Sequence, residues 1–137
     1  MSVPPDLAAA VQRWFLKAAH DLKTAEHTLL LPDAECPFDT ICFHAQQCAE
    51  KSLKAFLVLR QVPFDKTHDL GQILYLCRAD AELMHELMEV RDLTHYAVDV
   101  RYAESVGEEP GREEAIGAVA LARKAYEAVK QRLRGIL

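Results

Sequence analysis

Apolar residues recur along this chain at steps of three and four, and no stretch alternates with period two over a strand's length. Leu7, Val11, Trp14, Ala18, Leu22, Ala25 and Leu29 make one continuous stripe, which predicts a first helix ending at Pro32. Asp6 is its expected N-cap, because Pro4 and Pro5 cannot continue a helix backwards. Residues 32–38, with two prolines and two acids, read as an exposed loop.

A second helix is predicted from about Asp39, its cap, to about Arg60. Cys42, Ala45, Ala49, Leu53 and Phe56 form its buried face, and His44, Gln47, Lys51 and Lys54 line the other side. Glu50 and Lys54 fall at i and i+4, a pairing worth a few tenths of a kcal/mol on a helix surface. Residues 61–66, with Pro63 among them, break the helix. Thr67 then caps a short third helix to about Cys77, with Asp69 in its first turn. Asp80 caps a fourth, which continues through Leu83, Leu87 and Val90 towards Tyr102. Residues 104–112 read as an acidic loop. The last helix opens with Glu113 and Glu114 and carries Ile116, Val119, Ala122, Tyr126, Val129 and Leu133 at helical spacing. Lys124, Lys130, Arg132 and Arg134 crowd its later half, where they complement the helix dipole. The expected architecture is all-α: one domain over residues 1–137, an up-and-down antiparallel bundle of about five helices.

Composition narrows the function. Hydrophobic residues make up 50% of the chain and charged ones 27%, the balance of a folded domain rather than a disordered one. No apolar run approaches the roughly 20 residues needed to cross a membrane, and the N-terminus lacks the pattern of a secretion signal. A cytoplasmic address is the default expectation. The net charge of −5 argues against indiscriminate binding to phosphate backbones but leaves room for a local basic pocket. Cys36, Cys42, Cys48 and Cys77 are expected to be reduced, buried and inert. Cys42 and Cys48 are six positions apart, roughly 240° around a helix, so they do not converge on a metal. Neither a glycine-rich phosphate loop, a nucleophile motif nor a His-Glu-x-x-His pair is present, and no metal or other cofactor is expected.

Two segments together resemble the HEPN family (higher eukaryotes and prokaryotes nucleotide-binding domains). One is Phe43-His44-Ala45-Gln46-Gln47-Cys48-Ala49-Glu50-Lys51-Ser52-Leu53-Lys54-Ala55 with Thr67-His68-Asp69-Leu70 behind it. The other is Leu93-Thr94-His95-Tyr96-Ala97-Val98-Asp99-Val100-Arg101-Tyr102, similar to a family segment ending in Arg-Tyr-Pro, with Ala103 in place of the proline. The first helix, Trp14 to Leu22, is in keeping. The resemblance implies a helical bundle that forms homodimers, often encoded beside a minimal nucleotidyltransferase in a toxin–antitoxin-like pair. It also implies, for a large subset, a metal-independent ribonuclease whose arginine and histidine are separated by four to six residues.

The chemistry asked of such a pair is proton transfer by the imidazole and stabilisation of phosphate charge by the guanidinium. Arg91 and His95 are the candidates, with only three residues between them, one fewer than the family spacing. On an α-helix they share a face with Asp99, and two readings are open: a phosphate-receptive catalytic edge, or a solvated ion-pair ladder. Matching spacings at Arg13–His20 and Arg78–His85 fall in other helices. The family's ribonucleases also tend to carry a tyrosine two places after the histidine, and Ala97 holds that place. Arg101 and Tyr102 either grip a phosphate and stack on a base or close the bundle. His44, Gln47, Lys51 and Lys54 either receive a nucleotide or an acidic partner or form an ordinary polar face. His68 reads as part of a capped helix start.

The leading expectation is a non-enzymatic binding module: a homodimer paired with a minimal nucleotidyltransferase, binding nucleotide or RNA. The alternatives are an endoribonuclease toxin using Arg91 and His95, and a dimeric adaptor that binds no nucleotide.

Overall fold

The computed structural model describes residues 2–97 and 109–137, and every regular element among them is helical. Helix α1 spans Pro5–Thr28, α2 Phe38–Leu59, α3 Leu70–Leu76, α4 Ala81–Glu86 and α5 Arg112–Arg132. A 3-10 turn, Asp33–Glu35, joins α1 to α2, and a 3-10 helix, Met88–Tyr96, follows α4. The all-α expectation holds. No described helix is long and apolar enough to cross a membrane.

Helix α2 is the axis of the bundle. It packs most extensively on α1, then on α5, and touches α3 and the 3-10 helix at its other sides. Its expected face is buried at Cys42, Ala45, Ala49, Leu53 and Phe56, but so are Gln46, Glu50, Ser52 and Lys54. The expected outward side for Lys54 is therefore corrected: that residue is only 5% exposed. A helix contacted from several directions has no continuous solvated face, so the amphipathic pattern underestimates its burial.

Helix ends differ from the sequence expectation in instructive ways. Pro4, not Asp6, is the first cap position, and Asp6 falls in the first turn, where its charge still suits the dipole. Likewise α2 begins after Pro37, with Asp39 inside its first turn. The cap of α3 is Asp69 rather than Thr67: its carboxylate accepts from the Gly71 and Gln72 amides. Asp80 caps α4 as expected, accepting from the Leu83 amide at 2.9 Å.

The C-terminus of α2 closes by a Schellman motif on a non-glycine residue. Gln61 takes φ 55°, the Gln61 amide donates to Val58, and the Val62 amide donates to Leu57 at 3.0 Å. The predicted fourth helix is also corrected: α4 stops at Glu86, and the chain tightens into the 3-10 helix instead of continuing towards Tyr102. On α5, Ile116 is half exposed, and the buried contacts come from Ala115, Ala118, Val119, Ala122, Ala125, Ala128 and Val129. Arg112 ties the start of α5 to the α1–α2 connection. It donates to the Leu29 and Leu31 carbonyls at 2.7 and 2.6 Å and to Asp33.

Candidate functional site

Two carboxylates organise the polar residues of α2, and each is shared by a lysine and a histidine. Asp21, on α1, reaches across the helix seam. Its Oδ1 lies 2.8 Å from His44 Nδ1, and its Oδ2 accepts from Lys51 Nζ at 2.7 Å. His44 and Lys51 are seven residues apart, two turns of α2, and so face α1 together. Burial pushes the Asp21 carboxyl up, but the hydrogen bonds from His44 and Lys51 outweigh it and hold its pKa below the ordinary 3.8.

The second carboxylate is Glu50, on α2 itself. Lys54 Nζ donates to Oε2 and Gln46 Nε2 to Oε1, each at 2.9 Å, and His68 Nδ1 lies 2.9 Å from Oε1. Lys54 also donates to the Thr67 carbonyl at 3.1 Å, and Gln47 donates to Gln46 Oε1 at 2.7 Å. Desolvation again opposes the charge, and the bonds from Lys54, Gln46 and His68 again win, leaving Glu50 below the ordinary 4.5. The Lys54 ammonium sits 5.7 Å from the Trp14 ring centroid and 5.4 Å from that of Phe64. The Gln-x-x-x-Glu-x-x-x-Lys spacing seen in the sequence thus builds an internal hub that fixes Thr67 and His68 on α2.

Asp21 was the residue that helical patterning missed. It falls three positions after Ala18 and one before Leu22, inside the buried stripe of α1. An acid at such a position signals a partner cation across the seam.

The same seam opens into a basic groove. Arg13, Trp14 and Lys17 of α1 and Lys51 of α2 line a hollow of about 270 Å³. Arg13 and Lys17 lie one turn apart, are exposed, and have no ion pair among the described residues. Lys51 is balanced by Asp21, so the surplus positive charge of the groove resides on α1. Trp14 supplies an aromatic wall, set edge-on to Phe64 at 5.9 Å and 77°.

Arg91 and His95 do not share a face. At three residues per turn a step of four residues ends about 120° away from where it began. Arg91 is exposed and its Nε donates to the Met88 carbonyl at 2.8 Å. It lines a hollow of about 560 Å³ with residues of α3 and of the preceding connection. His95 lines a different one, about 480 Å³, against α5. Its ring lies 3.9 Å from that of Tyr96, whose hydroxyl donates to Glu114. Burial and that carboxylate push the Tyr96 hydroxyl well above its ordinary pKa. Asp99, Arg101 and Tyr102 lie outside the described residues.

The four cysteines are free and buried, as expected. Burial raises the thiols of Cys42 to about 11 and of Cys48 and Cys77 to about 12, which removes their nucleophilic form at neutral pH.

The HEPN domain family pattern matches residues 11–132. The chain is similar in structure to TT1696 from Thermus thermophilus, with 29% identity and a TM-score of 0.66 over 90% of this chain and 98% of that one. It is similar in fold to ST0689, an archaeal HEPN homologue, with 22% identity and a TM-score of 0.64 over the same shares. No curated protein matches it. The family pattern spans all five α-helices, from the second turn of α1 to the last residue of α5, and on that basis the chain belongs to the HEPN domain family.

Proposed function

We propose that this protein is a non-catalytic RNA- or nucleotide-binding HEPN module, working as a homodimer beside a minimal nucleotidyltransferase. The observation that carries the binding half is the basic groove: Arg13 and Lys17, two cations without an ion pair among the described residues, stand beside a half-buried tryptophan on a protein of net charge −5. Phosphates attract to fixed cations, and an aromatic wall gives a base its stacking surface. The role expected of His44, Gln47, Lys51 and Lys54 is narrowed by their bonds. Lys54 and Gln47 serve the Glu50 hub, whereas Lys51 and His44 border the α1–α2 seam near the groove. The partner and dimer halves are supported by family membership alone.

The alternative of an endoribonuclease using Arg91 and His95 has less support, because the two side chains line separate hollows. Binding is tested by fluorescence anisotropy with labelled single-stranded RNA. Wild type is expected to bind, and Lys17→Glu with Arg13→Glu to lose binding while keeping the fold by circular dichroism. Absence of wild-type binding would favour the dimeric adaptor. Co-expression with a minimal nucleotidyltransferase from the same genome tests the partner, and separate elution of the two proteins overturns that half.

A further inference from the structure

We propose that the hollow bounded by Asp65, Gln72, Tyr75 and Arg91 is a guanine-reading site. It would select the base of an RNA whose phosphates lie in the Arg13–Lys17–Lys51 groove, and it rests on the RNA-binding reading above.

The hollow, about 560 Å³, has one aromatic wall and a polar rim. Tyr75 is 60% exposed, unusual for an aromatic side chain in a domain with this much core. Arg78, which does not line the hollow, lies 4.3 Å from the Tyr75 ring centroid and braces it. A braced, accessible ring is a stacking surface for a planar base.

The rim has a particular sequence of donors and acceptors. Asp65 is exposed and has no partner among the described residues, so its carboxylate offers two acceptors. Arg91 is anchored by its Nε on the Met88 carbonyl, which leaves both terminal amines unused among the described residues. Thr67 donates to Gln72 Oε1 at 3.0 Å, and the Gln72 amide nitrogen has no acceptor among the described residues. A Cβ at Gly71 would stand 3.1 Å from Asp69 Oδ1, tight against the cap of α3, and 3.7 Å from Arg91 Cδ, an ordinary van der Waals contact.

Guanine matches this rim on two edges. Its N1–H and exocyclic amine both donate, as a carboxylate requires, and its O6 and N7 both accept, as a guanidinium requires. Adenine turns the N1 lone pair towards a carboxylate and its N6 amine towards a guanidinium, and keeps only the N7 acceptor in common with guanine. Uracil has a single N–H set between two carbonyl oxygens, a poor match for two carboxylate oxygens.

Position links the hollow to the groove. Asp65 follows Phe64, whose ring meets Trp14 on the groove side. Thr67, on the hollow side, is held on α2 through its carbonyl by Lys54. Residues 64–67 therefore touch both: Phe64 meets Trp14 of the groove, and Asp65 and Thr67 line the hollow.

The test is the affinity of the intact protein for the pentaribonucleotides UUGUU and UUAUU, measured by anisotropy. Wild type is expected to prefer UUGUU by about tenfold or more, the discrimination of one well-made base contact. Asp65→Asn and Arg91→Ala are each expected to erase that preference while leaving the helical circular dichroism unchanged. Lys17→Glu should weaken both RNAs alike and preserve their ratio. Equal wild-type affinities overturn the guanine reading and leave RNA binding intact, whereas binding of neither RNA overturns both. A preference that survives in both Asp65→Asn and Arg91→Ala also overturns the inference, because the base is then read elsewhere.

Discussion

The Lys54 ammonium lies 2.9 Å from the Glu50 carboxylate, and the two side chains are only 6% and 5% exposed. Such a pair acts as a unit: each charge is tolerable in the interior because the other is there. Lys54→Met should take the buried cation from Glu50, leaving it Gln46 and His68 alone, and cost about 3 kcal/mol, whereas Lys54→Met with Glu50→Gln should recover a large part of that loss. Urea denaturation of the single and double variants checks this. Equal destabilisation of the two would show that the charges are not coupled.

Acid should unfold the protein through the same carboxylates. Asp21 and Glu50 are held below their ordinary values of 3.8 and 4.5, so the folded state binds fewer protons than the unfolded chain as these groups titrate. Their contribution is fully present above the ordinary values and is lost as pH falls through the lowered ones. Stability from these groups is expected to be flat above roughly pH 5.5 and to decline below about pH 4.5. Denaturation at a series of pH values should show a shallower acid slope in Asp21→Asn. An unchanged slope would remove Asp21 from this account.

Gln61 holds the left-handed position of a Schellman motif with a side chain that glycine would spare. Gln61→Gly is expected to stabilise the protein, by at most about 1 kcal/mol, because the relief of backbone strain is partly offset by the extra freedom of the unfolded chain. A thermal melt that moves down instead would show that the Gln61 side chain contributes more than its backbone strain.

If Arg13 and Lys17 each neutralise a phosphate, the affinity for single-stranded RNA should fall with salt. The slope of log K against log salt should be about −1.4, from roughly 0.7 per phosphate contact. Lys17→Ala should make that slope shallower by about 0.7. A wild-type slope near zero would mean that the groove is not the phosphate site.

His95 and Arg91 make a contrasting pair. His95→Ala is expected to leave RNA affinity unchanged, since its hollow against α5 is separate from both the groove and the Arg91 hollow. Metal-free incubation with RNA should yield no cleavage by wild type. Cleavage abolished by both Arg91→Ala and His95→Ala would reinstate the ribonuclease alternative.

Much of the fold was legible in periodicity because most elements have one dry side. The stripe of α1, the cap at Asp80 and the interruptions at Pro32 and Pro63 need only local information. What periodicity missed depends on tertiary contact. Lys54 and Glu50 look like an ordinary surface pair until the connection carrying Phe64, Thr67 and His68 folds over them. The 3-10 helix is equally hidden, since Leu87, Val90 and Leu93 repeat at a spacing of three that an α-helix also accepts. That single difference in winding is why Arg91 and His95 read as neighbours in the sequence and line different hollows in the fold. Asp21 was readable in principle, as an acid within an apolar stripe; Arg13 and Lys17 carried no signal beyond their charge.

The enclosure of α2 also sets which length changes the chain can accept. One inserted residue rotates everything beyond it by about 100°. Within Phe38–Leu59 such a rotation would turn Gln46, Glu50 and Lys54 away from their partners and drive apolar side chains into the seam with α1. No face of this helix is free to absorb the error. Relatives of different length should therefore vary in the 3-10 turn and in the connection preceding α5, while keeping the register of α2 residue for residue.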